Sequence, residues 1–80
     1  MAKLKPTKIH YLAVSGKREI LAMKGSYGEA SAAASMISGG YIIEVSAKTP
    51  LSALRIASSE HGCRPDPYLV QELGVRWEFN

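Results

Sequence analysis

The loop Lys24-Gly25-Ser26-Tyr27-Gly28 separates a strand-like run from a helix-like one. Backbone N–H groups at such a helix start are unpaired and lie at the positive end of the helix dipole, a setting that favours an anion such as phosphate. Gly25, Ser26 and Gly28 are therefore the candidate anion-binding residues. Their spacing falls short of a nucleotide P-loop and of the dinucleotide fingerprint, and a plain helix-entry turn explains the same residues. Lys24 and Lys48 occupy matching places, each closing a strand-like run just before a helix cap. In a shared sheet they would emerge on one edge as a basic rim. Arg55, on the exposed side of the second helix, and Arg64 complete a candidate partner-binding set able to engage phosphates or acidic side chains. Solvated surface charge is the plainer alternative.

His61 and Cys63 stand two apart with no second Cys or His pair nearby, and His10 is remote in sequence, so the spacing does not make a zinc site. Cys63 with a histidine and Asp66 has the residue types of a nucleophile and its base, but the chain has little room for a cleft around them. No catalytic residue, metal or cofactor is expected. Tyr11, Tyr41, Trp77 and Phe79 all fall on strand-like segments, as the stacking residues of single-strand binders do. The alternation of Trp77 and Phe79 with charged neighbours favours the core instead.

The elements that must position these residues come from periodicity. Residues 1–7 read as a loose arm containing Pro6, and residues 8–80 as one domain. Strands are expected at 8–14 and 18–23 around the break Ser15-Gly16-Lys17, a hairpin signal. Ser26 and Glu29, three apart, form a capping box for a helix from Tyr27 to about Ser38 that Gly39-Gly40 ends. Residues 41–47 alternate as a strand with one buried face. Thr49-Pro50 caps a second helix that runs to His61 and stops at Gly62. Asp66-Pro67 caps a third, Gly74 ends it, and residues 75–79 alternate as a closing strand. The expectation is a single α+β domain of order ββαβααβ, with a mainly antiparallel sheet covered by two helices.

At 80 residues, the chain buries roughly 60% of the surface its unfolded form exposes, so its core is small. One cysteine excludes an internal disulfide and, with no leader pattern at the start, suggests the reducing cytoplasm. The apolar runs are far shorter than the roughly 20 residues a bilayer requires. The net charge of +3 permits an anionic partner without demanding one.

The run from Ile43-Glu44 through Ala53-Leu54-Arg55-Ile56-Ala57-Ser58-Ser59-Glu60 to Cys63, with Gly74-Val75-Arg76-Trp77, resembles the small phage anti-CRISPR proteins that inhibit type I systems. It covers about a quarter of the chain. The resemblance implies a non-enzymatic inhibitor, in the host cytoplasm, that blocks a Cas surveillance complex sterically or electrostatically, and it supplies no site residues. The partner expected is thus a protein or nucleoprotein complex. A small basic nucleic-acid-binding module is the alternative, and homodimerisation through a strand edge stays open.

Overall fold

The computed structural model describes residues 7–78. The expected arm lies outside them except for Thr7, whose hydroxyl accepts a hydrogen bond from Ser46 Oγ at 3.0 Å. Strand β1 spans Lys8–Val14 and β2 spans Glu19–Lys24. The turn between them is built on Ser15, whose Oγ accepts from the backbone N–H of Lys17 and of Glu19. Its left-handed residue is Arg18, at φ 65°, not the glycine.

Helix α1, Tyr27–Ser35, starts where Ser26 Oγ accepts from Glu29 N. It ends earlier than the two glycines suggest. Met36 N and Ile37 N bond to the carbonyls of Ala33 and Ala34, tightening the last turn. Strand β3, Tyr41–Ala47, and helix α2, Pro50–His61, match the expected boundaries, with Thr49 Oγ1 accepting from Ser52 N and Gly62 in the left-handed region. The two-residue strand β4, Arg64–Pro65, precedes helix α3, Pro67–Leu73, which Asp66 caps.

The sheet order is β3-β1-β2-β4; β1 runs antiparallel to both neighbours, and β2 pairs with β4 in parallel. The α+β class holds, with a mainly antiparallel sheet. The fourth strand is in a different place from the one expected: Arg64–Pro65 takes the seat beside β2, while residues 75–78 join no strand and Phe79 lies outside the described residues. Val75 and Trp77 instead pack against the core from a segment outside the sheet. Alternating apolar residues report one buried side, and a segment resting on a core has that without a ladder of hydrogen bonds.

Successive β1 side chains point to opposite faces. Leu12 and Val14 join Ile43, Val45, Leu54, Ala57, Cys63 and Leu69 in the main core beneath α2 and α3. Ala13, fully buried, and Tyr11 face α1, where Tyr11 meets the ring of Tyr27 edge-on at 6.0 Å. The layers are thus α1, sheet, then α2 with α3, so helices cover both faces.

Because β2 and β3 both oppose β1, they are parallel to each other, and α1 is a crossover from β2 to β3. Helix α2 is a crossover in the reverse direction, from β3 to β4. Reversing both the direction and the face keeps the two crossovers of one hand, as parallel connections demand. Among the described residues no helix is long and apolar enough to cross a membrane.

Candidate functional site

The crossovers fix what meets at one end of the sheet. Strands β2 and β3 finish there and β1 begins there: Lys24 lies opposite Tyr11, and Lys8 opposite Ala47. Lys48 follows Ala47 directly. This end therefore carries Lys8, Lys24 and Lys48 together with the capped starts of α1 and α2. The two helices depart to opposite faces, the arrangement that opens a crevice at the carboxyl ends of parallel strands. A shallow groove of about 540 Å³ lies at this place, its walls including Lys8, Tyr11, Lys24, Gly25, Pro50 and Leu73. His10 also lines it and donates from Nε2 to Ala47 O at 3.3 Å, tying the start of β1 to the end of β3.

Gly25 and Gly28 hold no left-handed backbone, and a Cβ at either would meet nothing within 4 Å. Neither the fold's packing nor its turn geometry requires them. They add no side chain to the start of α1, which carries Tyr27 and the acidic Glu29, while Ser26 is occupied as the helix cap.

Lys24 and Lys48 thus share one rim, as their matching positions suggest. Arg55 does not line the sheet-end groove. It lines a second one, of about 390 Å³, with Leu51, Arg76, Trp77 and Glu78. Arg64 stands opposite Glu19, at the start of β2 and so at the far end of the sheet, beside a small depression lined by Glu19, Pro65 and Pro67. Sequence reasoning left Lys8 and Arg76 out of the partner-binding set and assigned Trp77, weighed there as a stacking residue, to the core. The signal for Arg76 and Trp77 was their alternation, once it is separated from the idea of a strand.

Cys63 is fully buried in the main core. Its Sγ lies 3.7 Å from the backbone carbonyl of His61 and 3.9 Å from the Tyr41 hydroxyl. The His61 ring is not its partner, so the nearness of the two in sequence is not a nucleophile and base in space. Burial, then the hydrogen bond to Cys63, raises the Tyr41 hydroxyl above its ordinary value, even though the residue as a whole is partly exposed.

No protein-family model, curated protein or solved structure matches the chain.

Proposed function

We propose that this chain is a small non-enzymatic inhibitory binding protein acting on a nucleoprotein partner. The observation that supports the reading is the convergence of Lys8, Lys24 and Lys48 with two capped helix starts at one end of the sheet, beside a groove that Lys8 and Lys24 line. Three cations and two helix dipole ends share a sign, and their fields add in front of the sheet, attracting phosphates or carboxylates. The resemblance to phage anti-CRISPR proteins supplies the partner class, a type I Cas surveillance complex. A protein clamped over its nucleic-acid path would block target DNA without any chemistry.

The test is a mobility-shift assay of target duplex bound by a type I surveillance complex loaded with its guide RNA. Wild-type protein is expected to abolish the shifted band, and the double variant Lys24→Glu/Lys48→Glu to lose that effect while keeping its thermal midpoint. If the wild type leaves the complex's target binding untouched, this partner is wrong. If the double variant inhibits as well as the wild type, the surface is wrong.

A further inference from the structure

The two grooves have no lining residue in common, but they adjoin along the chain on two sides. Pro50 lines the sheet-end groove and its neighbour Leu51 lines the second, on successive residues of the first turn of α2. The opposite wall repeats this, with Leu73 in the first groove and Arg76, Trp77 and Glu78 in the second, on the chain that leaves α3. Leu51 and the Arg76–Glu78 run of the second groove thus follow, on the same two stretches of chain, Pro50 and Leu73 of the first. Lys8 and Lys24 line the first groove, Lys48 lies just before α2, and Arg55 with Arg76 line the second.

From this continuity we infer that the two grooves form one track for a single strand of nucleic acid, with Trp77 as its stacking platform and the flanking cations as its phosphate contacts. This deepens the anionic-partner reading and rests on it. Trp77 is half-buried: it packs on the core and also lines the groove that Arg55 and Arg76 line. A base stacked on an anchored ring loses little freedom, and stacking is tolerant of sequence. Arginine presents a fork that matches phosphate oxygens. In a duplex the base faces are already stacked, leaving the indole nothing to meet. An acidic peptide would satisfy the cations and leave the indole without a stacking partner. Glu78 shares this lining, and its carboxylate repels phosphate, leaving the two arginines as the phosphate contacts there.

The test uses the full chain and its single tryptophan as the reporter. A fluorescein-labelled oligothymidine of about 12 nucleotides and a duplex of equal length are titrated, following anisotropy and indole emission. The single strand is expected to bind and quench the indole, with the duplex at least about tenfold weaker. Trp77→Ala should weaken single-strand binding about tenfold, and Trp77→Phe, which keeps a ring in the core, should restore most of it. Arg76→Ala, at an exposed position, should reduce the steepness of the log–log salt dependence by about 0.7.

Binding without quenching, or undiminished in Arg76→Ala and Trp77→Ala, would confine the ligand to the lysine end and overturn the track while leaving the anionic surface in place. Equal affinity for the duplex, or full competition by polyglutamate, would also overturn it. Absence of binding to either oligonucleotide overturns the track as well, and the surveillance-complex assay then decides the broader reading on its own.

Discussion

The two crossovers of this protein follow one plan and are filled in opposite ways. Helix α1 lies on its face of the sheet through Ala30 and Ala34, against Ala13. Helix α2 presses Ala53, Leu54 and Ala57 onto its own face, where Leu12, Val14, Ile20, Ile43 and Val45 meet them. Alanine surfaces bring backbones close but bury little apolar area, and the hydrophobic term scales with that area. The α2 face therefore anchors the fold, and the α1 face is a thin cover whose tolerance is set by space. Both helices nevertheless start at the same end of the sheet, so the candidate surface straddles a strong layer and a weak one.

The largest effects should separate the two faces by opposite substitutions. Leu54→Ala, fully buried beneath α2, leaves a cavity and should cost about 2–5 kcal/mol. Ala30→Leu overfills the α1 side and should cost about 1–3 kcal/mol. Thermal unfolding reads both, at about 4–8 °C per kcal/mol for a domain this small. Equal and small losses from the two changes would erase the distinction between the faces.

Glycines sharpen the comparison next. A Cβ on Gly40 would run into Ala34 O and lie 2.9 Å from the Ile37 Cβ, so Gly40→Ala should destabilise by about 1–3 kcal/mol by forcing the exit of α1 outward. Gly28→Ala, with nothing in its way inside the first turn of α1, should instead stabilise by up to about 1 kcal/mol. Chemical denaturation of the two variants should show midpoints moving in opposite directions.

The caps come third. Removing the hydroxyl that bonds Ser52 N, in Thr49→Ala, should cost about 1 kcal/mol. Ser26→Ala, at the start of the thinly packed α1, should cost less. Hydrogen exchange of the first-turn amides in each helix distinguishes local fraying from global loss.

The smallest effect is a pH dependence. Tyr41 has its folded value raised above 10.0, first by burial and then by Cys63. As pH rises, the unfolded chain gives up this proton before the folded one does. The associated stability is thus intact below pH 10 and is lost as pH climbs through the raised value. Tyr41→Phe should flatten the decline of the unfolding free energy on the alkaline side. A slope identical to wild type would mean that the hydroxyl is not held against the sulfur.

Much of this was legible from local rules. Ser26, Thr49 and Asp66 announced three helix starts, and residues 41–47 a half-buried strand, because caps and alternation act between near neighbours. The common rim of Lys24 and Lys48 followed from noticing that two strand–helix units repeat. Arg55 and Arg64, the other members of the candidate set, lie elsewhere: Arg55 lines a second groove, and Arg64 sits beside Glu19 at the far end. Residues 75–78 offer no strand edge for a second copy, since they join no strand, and the long outer strand of the sheet is β3.

By itself the sequence determined the three capped helices, the hairpin and the alanine character of α1, all products of interactions within a few residues. Only the tertiary structure decided that β1 would stand between two parallel strands, that the helices would part to opposite faces, and that Arg64–Pro65 would take the edge seat in place of the Trp77 segment. Those choices depend on which strand finds which neighbour across long stretches of chain, under the demand that both crossovers keep one hand. No local pattern carries that demand. It is also what opens the groove beside Lys8 and Lys24.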